Sequence, residues 1–368
     1  MKKLLKNLIR ADSTVPKGEL AAANVILEEL RKAGLDCRID KWDKTRANLI
    51  AQTGPKNRKT ILFACHLDVV GPGEEKWRYP PFSAVEKNGR IYGRGAADMK
   101  GAIAAAVVAV CQVIKSGAKL KGRIIFSALA GEETDSCGAD KFTAHLKVPK
   151  NTGVIVTEPT DFQVVTAHRG LLWLQITTKG KAAHGSTPQL GINAINSMRL
   201  LLNELDGYKI KSKPHRLLGQ CSMSINTIAG GRTINVVPDQ CSVTIDIRTL
   251  PKQNHWDIVG DLQKIFAKIK RKNSQFQAEM SVIRSVKAME TDNKCDFVRK
   301  FCSAAGVAET KAVGFTTDGP YFAALGLPVV IFGPGKPHLC HKPNEYIDIA
   351  DLQKAVEYYK KIVLGFLT

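Results

Sequence analysis

Several short stretches of this 368-residue chain carry side chains that hold cations or move protons. His66 and Asp68 close the apolar run TILFACHLDVV, Glu132 and Glu133 follow the run GRIIFSALAG, and Glu158 lies in GVIVTEP. Open parallel sheets place ligand sites at such strand exits. On a strand His66 and Asp68 share a face, so Asp68 can orient the imidazole from behind. Asp98 ends the turn GRGAAD ahead of a helix pattern, where it can act as a cap or as a ligand. Near the end, PHLCHKPNEY offers His338 and His341, and spacing leaves both open. If the acids converge, each close pair costs about 4 kcal/mol at ~4 Å and an effective dielectric of ~20. No Lys or Arg stands beside Glu132, Glu133 or Glu158 in the sequence, so bound cations are the expected neutraliser. A nitrogen and oxygen donor set without an obvious cysteine favours zinc, with cobalt or manganese as substitutes. Asp98 can give one oxygen to each of two ions about 3.5–4 Å apart, and a water between them would lose its proton near neutral pH, with Glu132 collecting it.

The elements that must position these groups form an α/β pattern. The start MKKLLKNLIR interleaves Leu4, Leu5, Leu8 and Ile9 with polar residues at helical spacing, an amphipathic helix in place of a signal peptide. ELAAANVILEELRKAG reads as a second such helix that Gly34 can end. The Ala-rich pattern MKGAIAAAVVAVCQVI lies between two short apolar runs, which predicts a largely parallel, buried sheet. From about His168 the strands alternate more loosely and two helix patterns interrupt them, the order of a split βαβ sandwich. After about residue 285 the texture of the first part returns. The expected fold class is therefore α/β. A catalytic domain built from residues 1–167 and 286–368 around a mostly parallel central sheet carries an inserted α+β, ferredoxin-like domain over residues 168–285.

Composition limits the function classes. No apolar run approaches the ~20 residues of a membrane helix, and nine scattered cysteines without a CxxC pair point to a reducing, cytoplasmic setting. The net charge of +20 attracts anionic surfaces without naming a partner. With no base-stacking module, nucleic acid is not an expected partner beyond non-specific attraction; a catalytically weak nucleic-acid-binding protein is the alternative from outside the enzymes.

The residues also resemble the M20 family of metallopeptidases and deacylases, which includes acetylornithine deacetylase, succinyl-diaminopimelate desuccinylase, aminoacylase and carboxypeptidase G. HLDVVGPGEEKWRYPPFSAVEKNGRIYGRGAADMKGAIAA is similar to the family signature along its length. ALAGEET, TEPT, AAHGSTP, NVVPDQCSVTIDIRTLP, TTDGPYF and HKPNEYI then follow in family order over nearly the whole chain. The resemblance implies a zinc-peptidase-like catalytic domain with one ion on His66, Asp98 and Glu158 and the other on Asp98, Glu133 and His341. It implies that Glu132 is the general base and later acid, that Asp68 tunes His66, and that a bridging hydroxide attacks a linear amide. The inserted domain would be a lid and a homodimer interface. His184 would stabilise the oxyanion in the partner's site, and Asn235 and Arg248 would recognise substrate. The substrate class implied is an N-acyl amino acid, with dipeptides or carboxypeptidase substrates as the alternative. One departure is Cys65, where the family more often has a small residue; alternation turns it away from the ions, as a buried thiol.

Overall fold

The computed structural model describes residues 1–368 and divides them into two compact units. The first comprises Met1–Thr166, Glu290–Ala312 and Thr317–Thr368; the second comprises Ala167–Met289 and Val313–Thr316.

In the first unit four strands run parallel side by side: Arg123–Leu129, Thr60–His66, Thr152–Val156 and Val329–Ile331. Every residue of these four is buried, which is why they read as unbroken apolar runs. Ala47–Thr53 and then Asp36–Lys41 extend the sheet antiparallel on one side. Helix Gly101–Lys115 connects Thr60–His66 to Arg123–Leu129 and is Ala- and Val-rich because it is buried on most of its surface, against Ile349–Leu367 among others. Contrary to the expectation that no stretch approaches the length of a membrane helix, Ala96–Lys115 is apolar and long enough to cross a membrane by length and composition, but most of it lies inside this core. Helix Lys2–Arg10 buries Leu4, Leu5, Leu8 and Ile9 as its spacing predicts. Helix Leu20–Lys32 ends just before Gly34, whose φ of +87° suits a residue without Cβ.

The second unit is a four-stranded antiparallel sheet in the order Ser222–Gly230, Gln240–Thr249, Gly170–Lys179, Gln277–Val286. Helices Ala194–Asp206 and His255–Lys272 complete the βαββαβ sequence and share a core with the sheet. This is the ferredoxin-like arrangement. Asn193 and Asn254 start the two helices by accepting N–H bonds from Ile195 and Trp256. Along Gln240–Thr249, Cys241, Val243, Ile245 and Ile247 are buried and the residues between them are wetter, the alternation of a sheet covered on one face.

Candidate metal centre

Because the four parallel strands point the same way, their carboxyl ends open onto one edge of the sheet. His66 is the last residue of its strand and lies in register with Leu129, from which the chain turns into Gly131–Glu133. On the other side Ala64 pairs with Val156, two residues before Glu158. Sheet register thus delivers His66, Glu132, Glu133 and Glu158 to one place from three strands.

Asp98 comes from a tight, irregular turn, Ala96–Lys100, in which it has non-helical backbone angles and makes no capping bond. Its Oδ1 lies 3.1 Å from His66 Nε2 and its Oδ2 lies 3.3 Å from His341 Nε2. His341 Nε2 is also 2.9 Å from Glu133 Oε1, and His66 Nε2 is 3.8 Å from Glu158 Oε2. One carboxylate therefore faces two imidazoles, each with a further acid at its side. Ligand atoms of His66, Asp98 and Glu133 lie within 4.8 Å of one another, as do those of His66, Glu132 and Glu158. Between the two histidines that spacing left open, it is His341 that joins the acids. His338 is exposed in the neighbouring turn Pro337–Leu339.

The electrostatics follow from crowding. Burial, then the charge of Glu158, raises Glu132 well above the ordinary carboxylate value. Burial likewise brings Glu158 up to about 7, against the opposing pull of His66. Burial works against a charged His66, yet the charge of Glu158 and the bond to Asp98 raise its pKa well above that of free imidazole. Hydrogen bonds to Asp98 and Glu133 take His341 to about 10. The imidazoles thus hold protons where positive charge is needed. Asp98, Glu133 and Glu158 pair with these imidazoles and not with lysine or arginine. Two nitrogens and a set of carboxylates, short of positive charge and largely dry, fit divalent cations.

Behind these groups, three further residues hold the geometry. His66 Nδ1 donates to the carbonyl oxygen of Asp68 at 3.0 Å, which leaves Nε2 turned to the acids. The Asp68 carboxylate, 3.7 Å from Nδ1, accepts N–H bonds from Gly131 and Glu132 on Oδ1 and from Glu133 on Oδ2, at 2.9–3.1 Å. It therefore fixes the turn that carries both glutamates. Gly131 has φ +82°, and a Cβ there would come within 2.6 Å of Asp135 Oδ1. Glu345 and Arg94 were missed by sequence reasoning. Glu345 Oε1 accepts the N–H groups of Ala97 and Asp98 at 2.8 and 3.1 Å, and Oε2 takes Arg94 Nη1 at 2.7 Å. Both side chains are buried, and the pair anchors the turn bearing Asp98. Its only trace in the sequence was the position of Glu345 in HKPNEYI and of Arg94 in GRGAAD.

The remaining candidates belong to the second unit. His184 and Asn235 are exposed; His184 Nδ1 accepts the Ser186 N–H at 3.1 Å. Arg248 donates from Nε and Nη2 to Asp246 at 3.2 and 3.0 Å on the same strand face. Cys65 is buried, takes a hydrogen bond from Thr157 at 3.1 Å, and is pushed up to about 12 by burial.

A parallel-sheet domain bearing such an acidic and imidazole-rich edge, with an inserted ferredoxin-like domain, defines the class of metal-dependent hydrolases that act on amides. Residues 62–365 match the family model described as Peptidase family M20/M25/M40, and the chain belongs to that family. It is 27% identical over 99% of its length to a probable succinyl-diaminopimelate desuccinylase of Staphylococcus epidermidis, covering 97% of that protein. It is 30% identical to an acetylornithine deacetylase of Buchnera aphidicola, over 87% of this chain and 84% of the relative. The structure of an M20 family metallo-carboxypeptidase from Sulfolobus solfataricus superposes with a TM-score of 0.81 at 21% identity, covering 99% of this chain and 98% of that one.

Proposed function

We propose that this hydrolase cleaves the amide of an N-acyl amino acid, as a deacetylase or desuccinylase, using two divalent ions, zinc by preference. His66, Asp98 and Glu158 would hold one ion, and Asp98, Glu133 and His341 the other. The observation that supports this most directly is the orientation of Asp98, with one oxygen toward each imidazole. When bound, the ions would neutralise the acids, polarise the scissile carbonyl and acidify a water.

The residues of the chain do the rest. Glu132 is buried and its proton affinity is raised, which suits a carboxylate that takes a proton from water and hands it to the departing amine nitrogen. Asp68 holds Glu132 and Glu133 in place through their backbone N–H groups. In neutral His184 the Ser186 N–H occupies Nδ1, so the ring proton sits on Nε2, a donor suited to an oxyanion. Asn235 and Arg248 are proposed to recognise substrate on the family resemblance. For Arg248 the bonds to Asp246 already engage two donor groups of the guanidinium.

The names of the two relatives favour acyl-amino-acid substrates, whereas that of the Sulfolobus neighbour favours a carboxypeptidase. A panel of N-acetyl and N-succinyl amino acids and dipeptides, assayed with added zinc, separates the two. Turnover of acyl amino acids over dipeptides is expected, and the reverse preference would transfer the assignment to the peptidase reading. Glu132→Gln should retain metal and lose at least about a hundredfold in kcat. Wild-type turnover in that variant would remove Glu132 from its role.

A further inference from the structure

A second concave site lies on the antiparallel side of the first unit and shares no residue with the acidic cluster. Strands Asp36–Lys41, Ala47–Thr53 and Arg123–Leu129 are neighbours, with Arg38 opposite Ile50, and Gln52 opposite Ile125. Alternation puts Arg38, Asp40, Ile50, Gln52, Arg123 and Ile125 on one face. Lys141 and Phe142 of helix Cys137–Ala144, the residues His145–Lys147, and Lys56 and Asn57 complete the lining of a cavity of about 470 Å³. That volume falls in the ~300–1,000 Å³ range of small-molecule sites.

Its charge is one-sided. Arg38, Lys56, Arg123, Lys141 and Lys147 line it against the single carboxylate of Asp40, which is already paired with Arg38 at 3.0 Å. Lys141 lies 5.4 Å from the Trp42 ring centroid. Arg123 is only 7% exposed, and its side-chain partner is the amide oxygen of Gln52. Burial lowers its pKa with no carboxylate pulling it back up. Its hydrogen-bond acceptor is thus a neutral amide, and no carboxylate balances the charge of this buried guanidinium, since Asp40 is held by Arg38. Ile50, Ile125 and Phe142 add apolar wall beside these cations.

We propose that this cavity binds a small polyanion of the phosphate class, either a free polyphosphate or a nucleotide whose base lies on the apolar wall. Guanidinium forks and ammonium groups match phosphate oxygens, and Arg123 gains the counter-charge its surroundings lack.

The test is calorimetric titration of the full-length, metal-loaded protein at low ionic strength with ADP, pyrophosphate and adenosine. Saturable binding of ADP at one site per chain, with adenosine weaker by at least about tenfold, is expected. ADP tighter than pyrophosphate identifies a nucleotide site, and equal affinities identify a polyphosphate site. The double variant Lys56→Glu/Lys147→Glu, both on the cavity wall, should weaken ADP by at least about tenfold while amide hydrolysis stays at the wild-type rate. Arg123→Gln should weaken ADP as well, with thermal melting reporting whether it folds. Absence of saturation, adenosine binding as tightly as ADP, or ADP binding that the double variant leaves unchanged would each overturn the proposal; the last would move the anion to another site, the metal centre included.

Discussion

Around Asp98 the positive charge available without metal is the protons on His66 and His341, and this has a measurable consequence. A ligating imidazole nitrogen must be free of its proton, so metal loading has to displace protons. His341 is raised to about 10 by Asp98 and Glu133, and Glu158 to about 7 by burial. At pH 7 the metal-free site therefore holds protons that the loaded site cannot. Zinc binding should release at least one proton per chain, and apparent affinity should climb as pH rises from 6 towards 9. Calorimetry in two buffers of different ionisation enthalpy checks this, and zinc uptake without proton release would contradict it. At this scale much was legible beforehand. Acids without neighbouring cations implied an external neutraliser, whereas spacing left His338 and His341 open and only the family resemblance pointed to His341, because the turn that presents it is not written in spacing.

Among the elements, the turn Ala96–Lys100 depends on a buried ion pair that brings no ligand of its own. Glu345 joins Arg94 to the backbone N–H groups of Ala97 and Asp98, and both side chains are at most 2% exposed. Glu345→Ala would strand the Arg94 charge in a dry site, at a cost of about 3–5 kcal/mol. It should also weaken metal binding about 10–100-fold by freeing the turn that presents Asp98. Glu345→Gln keeps an acceptor for the two N–H groups and should lose less of both. Denaturant unfolding together with zinc titration of the two variants checks the order, and equal metal affinity in Glu345→Ala and wild type would leave the pair a purely structural role. The strands Thr60–His66 and Arg123–Leu129 were readable because burial on both faces produces continuous apolar runs. The Arg94–Glu345 pair was not, since a contact between residues some 250 positions apart leaves no local pattern.

At the scale of the whole molecule, the second unit leaves a sheet edge unused. Strand Ser222–Gly230 is one of its two edge strands and is exposed along nearly its whole length, with Ile228 61% exposed. Such an edge invites pairing, and a homodimer formed through it is our proposal for the assembly. Sedimentation at micromolar concentration should show a dimer, and Ile228→Lys should shift it to monomer by at least about tenfold in dissociation constant; a monomeric wild type would refute the proposal. The α/β class and the second, looser texture were already determined by the chain's hydrophobic periods, because burial on one face or two dictates which positions are apolar. The acidic candidates were likewise determined by residue type, since few side chains hold a dication. Tertiary structure alone decided which acid oxygen meets which imidazole, that Asp68 takes up the turn amides, and that a buried Arg123 faces a cationic hollow. These depend on register and packing between distant segments, where an ångström separates a ligand from a bystander and no local rule reaches.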